Sequence, residues 1–553
     1  MERRNEQEQA ETPATPSGRR RAASLLISIL ASTLVAVAIA RLYVPRANVA
    51  WDESQYLMSA YSIYGAARSG SISTLWRATE EQFGYPPLPS WLFGIPFVPV
   101  GFSIEGARVL NLFWFILGNV MLAALATVLG GTAAGVLSSL LYLSSPFMLL
   151  YGAVAMREAI GAAFTLLAVS LYCRARINGR VAGYLLTSLA LFALTMVKYN
   201  YGVLVAGAIA VEAIVHLVGG RERKRILLAY AYLYIPFVLA LESWIFLPTD
   251  RLPAFLAVLS NPWTVTSGMT DWSQRLLFYP RAIALMYSPS IITGILLLSS
   301  LIAAPKYFAD FRVRFLWLCV ALNLLLGLIH SGNMQERFIF TVVPLLFALA
   351  AYVLMRWVRV LRSWSTTHMR RAVLVALALV LGTKLLVDML RLPDYVYAVG
   401  AYSMKSPMFN QVDFRDTWFN YDVETWPRQL PPPDAEAPRT VVDYVANSID
   451  LSKPVYIAGY ANELPPDYFN LVFALHREHG EIQPAPYSSY VVTLQVLPTS
   501  RYYTRDYRMF NERNQWTVTR IAAEPSLAVL RERSFAQLGV VVRIYAPSDE
   551  VNM

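Results

Sequence analysis

Asp52 and Glu53 stand side by side in "WDESQYL" (51–57), directly after the first long apolar run of the chain. Adjacent carboxylates there either mark the solvated boundary of a membrane span or do chemistry, since a carboxylate can act as general base toward a hydroxyl or amine. Three further charged clusters are expected on the same face: Arg157 with Glu158, Lys198 in "KYNYG" (198–202), and Glu336 with Arg337 in "HSGNMQERFIF" (330–340). Any one of them alone is as readily a span end at headgroup level. Together they bring acids and bases from separate helices to one face, with almost no outer loop around Arg157, Glu158 and Lys198 to supply water. Ionisable groups near hydrocarbon cost about 2.5–3.5 kcal/mol each at mid-membrane and less near the interface. Such groups neutralise one another or surround a charged substrate. Carboxylates and cations at a lipid boundary suit a lipid that carries a phosphate.

The elements that must position these residues are apolar helices. The chain has 553 residues, of which 56% are hydrophobic and 15% charged, a polytopic membrane composition. Crossing a hydrocarbon core takes about 20 apolar helical residues, and no alternating barrel pattern is present, so helices are the solution that satisfies the backbone in lipid. Spans are expected near 22–40, 106–129, 132–150, 158–175, 181–197, 202–218, 226–247, 282–303, 315–330, 338–355 and 372–390, eleven in all. The net charge of +10 is read as orientation, not as nucleic-acid binding: its clusters "RARINGR" (174–180), "RERKR" (221–225) and "RWVRVLRSWSTTHMRR" (356–371) lie between spans and belong in the cytoplasm. That places the amino terminus inside, the carboxyl terminus outside, and the protein in the plasma (inner) membrane as a multi-pass protein. Cys173 and Cys319 fall at or inside spans and make no disulfide framework.

Residues 1–21 read as a disordered cytoplasmic tail, 22–390 as the transmembrane domain with a first outer loop over 41–105, and 391–440 as a linker containing the proline-rich "WPRQLPPPDAEAPR" (426–439). Short helices lying at the interface are expected within 53–104. Helix-like "TVVDYVANSI" (440–449) and strand-like "KPVYIAGY", "SSYVVTLQVL" and "LGVVVRIYAP" predict a small extracytoplasmic α/β domain over 441–553. Its Tyr- and Arg-rich stretch 501–516 reads as a solvated face in preference to a carbohydrate surface.

The order of these motifs resembles the GT-C superfamily of integral-membrane glycosyltransferases, in particular its branch of protein O-mannosyltransferases and lipid A aminoarabinose transferases. The resemblance covers roughly 22–345: an acidic pair after the first span, "YPPL" (85–88), a second acid at the next outer loop, then outer Lys and Arg. It implies a GT-C-like helical fold and transfer of a sugar from a polyprenyl-phosphate donor to a protein, lipid or glycan acceptor outside the membrane. By the same resemblance Asp52 matches the catalytic carboxylate, Glu53 its neighbour and Glu158 the second acid. Lys198 and Arg337 match contacts to the donor phosphate. Tyr85 stands where the branch has a basic residue. Tyr56, Tyr85, Arg157, His330 and Glu336 are candidate substrate contacts, with His330 read in the first place as interfacial.

The chemistry suits this inventory. A phosphate leaves without protonation, so one base for the acceptor is enough, whereas hydrolysing a sugar ether usually takes two carboxylates. Two cations balance the charge that grows on the departing phosphate. Asp52, Glu53 and Glu158 could also supply hard oxygen ligands to Mg²⁺ or Mn²⁺, and metal use stays open at this point. The competing readings are a flippase or transporter of lipid-linked sugars and a non-catalytic envelope assembly protein. A transporter should carry inverted repeats and mid-span charges, and neither is seen. The topology is tested by placing a cysteine within 426–439, which should react with an impermeant label from outside, while one within 221–225 should not. The reverse pattern would put the acidic pair in the cytoplasm.

Overall fold

The structure, a computed structural model, describes residues 18–42, 51–82, 86–220, 222–245, 272–285, 291–329, 336–361, 438–451, 455–458, 466–476, 490–497, 508–536 and 538–548, with a few single positions besides. The first helix, α1 (Gly18–Leu42), is followed by three shorter ones, α2 (Trp51–Arg68), α3 (Ile72–Glu80) and α4 (Leu88–Gly94). A bundle of long apolar helices then runs through α5 (Ile104–Gly130), α6 (Thr132–Leu143), α7 (Pro146–Ala153), α8 (Arg157–Asn178), α9 (Val181–Val197), α10 (Tyr199–Gly219) and α11 (Arg223–Ile245). It continues with α12 (Trp272–Leu285), α13 (Ile291–Ala303), α14 (Phe311–Ile329) and α15 (Val343–Leu361). Five of these helices, α1, α5, α8, α10 and α11, are each long and apolar enough to cross a membrane.

Two expected spans differ in form. The run 132–150 is two helices bent by 66° at Ser144–Ser145, where Ser145 caps the new helix and Pro146 opens it. Proline lacks the N–H that would continue the preceding ladder and is at home in a first turn. The run 282–303 is divided between α12 and α13, with Tyr287 and Ser288 outside both helices. The expected span 372–390, the linker 391–437 and the stretch 501–507 lie outside the described residues.

Beside large apolar side chains such as Phe115, Leu122 and Tyr142, small and polar residues bring some of the helices together. Along α1, Ser24, Ser28 and Ser32 recur every fourth residue and are fully buried, while Leu26, Leu30 and Leu34 are exposed. The serine stripe meets α5 and α6: Ser24 Oγ lies 3.1 Å from Thr127 Oγ1, and Asn119 Nδ2 donates to Ser32 Oγ at 2.7 Å and to Ser139 Oγ at 2.8 Å.

The carboxyl-terminal part is α/β. Helices α16 (Pro438–Ala446), α17 (Pro466–His476) and α18 (Arg508–Ala522) accompany strands β1 (Val455–Ala458), β2 (Tyr490–Val496), β3 (Leu527–Phe535) and β4 (Val540–Pro547). The sheet order is β1-β2-β4-β3, parallel between β1 and β2 and antiparallel elsewhere. Its link to the bundle is α17, which packs on α2; Tyr61 Oη donates to the Ala474 carbonyl at 3.1 Å. The strand β3 has no counterpart in the sequence reading, because it is exposed on both faces and the consecutive Arg531, Glu532 and Arg533 leave no alternation to read.

Candidate active site

Four pieces of backbone meet at one end of the bundle. The first turn of α2 carries Asp52 and Glu53, and the first turn of α8 carries Arg157 and Glu158, so both acid sets sit where a helix dipole favours negative charge. Lys198 is the extended residue between α9 and α10. Gly202 makes that junction tight, since a β-carbon there would overlap Thr195 Oγ1 and the Leu191 carbonyl. Arg337 lies in a 3₁₀ turn, Glu336–Ile339, just before α15.

The side chains converge. Arg337 Nη1 contacts Asp52 Oδ2 directly. Lys198 Nζ lies 3.8 Å from Glu158 Oε1, too far for a hydrogen bond, and 3.4 Å from Tyr201 Oη. It also sits 4.7 Å from the centre of the Phe338 ring. The Arg157 guanidinium stacks over Tyr56 at 4.1 Å. The charges that act on Lys198 are those of Glu158, Arg337, Arg157 and Asp52, so all four clusters share one electrostatic neighbourhood. Three cations against two carboxylates leave it one positive charge in excess. Burial lowers the Lys198 ammonium to about 8, against the pull of Glu158. Its side chain keeps 19% of its surface, an opening too small to restore full hydration. Burial also pushes the Tyr56 phenol up, so it stays protonated.

Glu53 has a different place. It is fully buried and forms a two-pronged pair with Arg108 of α5, Nε to Oε1 at 2.8 Å and Nη2 to Oε2 at 2.7 Å. Oε1 also accepts the Ala155 N–H at 2.8 Å. One turn along α5, Asn111 Nδ2 reaches the carbonyls of Tyr151, Gly152 and Val154 at 2.6–3.0 Å. Together these groups grip the 154–156 connector from which α8 starts. Both Glu53 oxygens are thus occupied, by Arg108 and by the Ala155 N–H, and the contacts join the start of α2 to the connector before α8.

Among the described residues no group of three His, Cys, Asp or Glu side chains could hold a metal ion. Asp52 is engaged by Arg337, Glu53 by Arg108, and only Glu158 keeps a buried oxygen, Oε2, without a hydrogen-bond partner. Tyr85 and His330 lie outside the described residues, as does the side chain of Glu336. Arg108 and Asn111 are the site residues that sequence reasoning passed over. A charged residue four positions into an apolar span was the available signal for Arg108.

The family described as dolichyl-phosphate-mannose-protein mannosyltransferase matches residues 85–246. ArnT from Cupriavidus metallidurans in the apo state is similar over 95% of this chain and 98% of its own, at TM-score 0.58 and 17% identity. The same protein bound to undecaprenyl phosphate is similar over 93% and 97%, at TM-score 0.54 and 16% identity. The chain shares the ArnT fold. No curated protein matches the sequence. The shared fold, the family match and the apolar helices agree with the resemblance read from the sequence.

The buried Glu53–Arg108 pair has an internal test. Glu53→Gln strands the Arg108 guanidinium in a dry interior and should cost about 3–5 kcal/mol, whereas Glu53→Leu with Arg108→Met should cost clearly less. Thermal unfolding of the purified variants measures both. Equal losses would show that the pair is not the coupling element.

Proposed function

We propose that this protein is a glycosyltransferase that moves a sugar from a polyprenyl-phosphate donor to a hydroxyl or amine acceptor on the extracytoplasmic side of the membrane. The observation that carries the reading is one anion-seeking cluster, Arg157, Lys198 and Arg337, around two carboxylates, of which Asp52 retains 29% side-chain exposure and Glu158 is buried. The ArnT-like fold supports it, as does the undecaprenyl phosphate bound to that neighbour.

The steps follow from charge. A polyprenyl-phosphate sugar is a phosphodiester with one negative charge; after transfer the lipid phosphate is a monoester that can carry two. Asp52 takes the proton of the acceptor as it attacks the anomeric carbon, and the bond from that carbon to the phosphate oxygen breaks with its electron pair leaving on the phosphate. Lys198 and Arg337 stabilise that growing charge, the planar Arg as a two-pronged contact and Lys as a point charge. The Arg337–Asp52 contact gives the steps an order. A donor phosphate that draws Arg337 to itself releases Asp52 as a base. Tyr56, protonated and beneath Arg157, offers a neutral hydrogen-bond donor beside the same anion. The free Glu158 oxygen can accept from a sugar or acceptor hydroxyl.

The test is transfer from a panel of polyprenyl-phosphate sugars by purified protein. Asp52→Asn should abolish transfer while folding and donor binding persist; turnover at the wild-type rate would exclude Asp52 as the base.

A pH profile gives a second prediction. An anion binds the protonated Lys198, so donor use is complete below the Lys198 value and falls as pH rises through about 8. Bound phosphate holds the proton, so kcat should persist to higher pH than kcat/KM. Lys198→Arg should lower the plateau and remove the fall, because a guanidinium does not titrate in that range. A fall unchanged in Lys198→Arg would assign it to another group.

A further inference from the structure

The end of the bundle opposite the candidate site carries a second, unassigned cluster of charge. From Arg157 to Arg176 along α8 is about 28 Å at 1.5 Å per residue, so the two clusters lie near opposite faces of a membrane. Around Arg176 every described acid already has a partner. Glu212 of α10, fully buried, is held by Arg314 through two bonds of 2.6 and 2.7 Å. Asp310 is held by Arg312 at 2.6 Å and Glu222 by Arg225 at 3.2 Å. Arg176 is left over. Its guanidinium lies 5.3 Å from the centre of the Phe311 ring, and its Nε is buried with no hydrogen-bond partner among the described residues.

A half-buried guanidinium whose buried Nε lacks an acceptor calls for an anion. Its surroundings add polar groups and more positive charge. Tyr230 Oη lies 2.9 Å from Tyr172 Oη and 3.5 Å from His216 Nδ1, and Arg174, Arg180, Arg223 and Lys224 are exposed nearby in the chain. Apolar side chains flank this rim in the open: Ile177 and Val181 beside Arg176, with Leu185 one turn further along α9, and Val218 and Leu227 on α10 and α11. A soluble anion has no use for that apolar surface, but acyl chains do. Basic pockets between membrane helices are a recurrent setting for anionic headgroups.

We propose that the Arg176 end of the bundle binds the phosphate headgroup of an anionic phospholipid, with Arg176 as anchor and the exposed aliphatic rim as the seat of its chains. The site is separate from the candidate active site and independent of the transferase reading.

The experiment uses the full-length protein in a neutral detergent. Its thermal unfolding is followed with added phosphatidylglycerol, phosphatidylcholine of the same chains, or inorganic phosphate. Phosphatidylglycerol should raise the wild-type midpoint by roughly 2–5 °C, with little response to the other two, and native mass spectrometry should show phosphatidylglycerol retained in preference to phosphatidylcholine. Arg176→Gln should lose most of the shift, and Lys198→Ala should keep it. Equal shifts from both lipids would overturn the proposal, as would an equal response to inorganic phosphate or a full shift in folded Arg176→Gln. The wild-type lipid comparison decides the matter even if Arg176→Gln does not fold.

Discussion

The arrangement depends on one buried ion pair. Glu53 and Arg108 have almost no solvent exposure, so neither can be spared its partner: an isolated charge in that interior would cost far more than the pair does. Because the pair also captures the Ala155 N–H, it ties α2, α5 and the α7–α8 connector into one rigid unit. Asp52, one residue before Glu53, and Arg157 and Glu158, two and three residues after Ala155, take their places from that tie. A buried pair of this kind is poor evidence for stability, but it does specify geometry, and geometry is what a site assembled from four separate segments needs.

The two faces of the bundle then differ in kind. At the face of Asp52 the cations outnumber the carboxylates, and the ion pairs are uneven, one close and one loose. Lys198 is paired loosely with Glu158, whose second oxygen has no hydrogen-bond partner among the described residues, and under the proposed function a lipid phosphate would supply the charge the cluster lacks. At the Arg176 face the acids Glu212, Asp310 and Glu222 each have an Arg partner, and Arg176 has no acid partner among the described residues. Both features follow from putting ionisable groups where water is scarce, with opposite outcomes set by which partners are near.

Much of this was legible in the sequence. Charges at the ends of apolar runs, summed with the placement of Arg-rich loops, bring Asp52, Arg157, Glu158, Lys198 and Arg337 to one end of the helices, and the structure gathers them there. What pattern does not carry is partner choice. Whether Glu53 faces a substrate or Arg108 depends on the rotation of α2 against α5, a tertiary quantity with no period to read. The 66° bend at Ser144–Ser145 was available in "SSP" but is masked by unbroken hydropathy on both sides. Strand β3 failed for the converse reason: the charged residues of an edge strand suppress the alternation that marks β2 and β4.

The central claim is that Lys198 and Arg337 serve one phosphate. Affinity for a polyprenyl phosphate, measured by equilibrium binding to wild type, Lys198→Ala, Arg337→Ala and the double variant, tests it most directly. A charge-assisted bond is worth about 1.5–3 kcal/mol, so each single variant should lose roughly 10- to 150-fold, and the double should lose little more than either, since both act on one ligand. Small, additive losses, or none, would contradict a shared phosphate site.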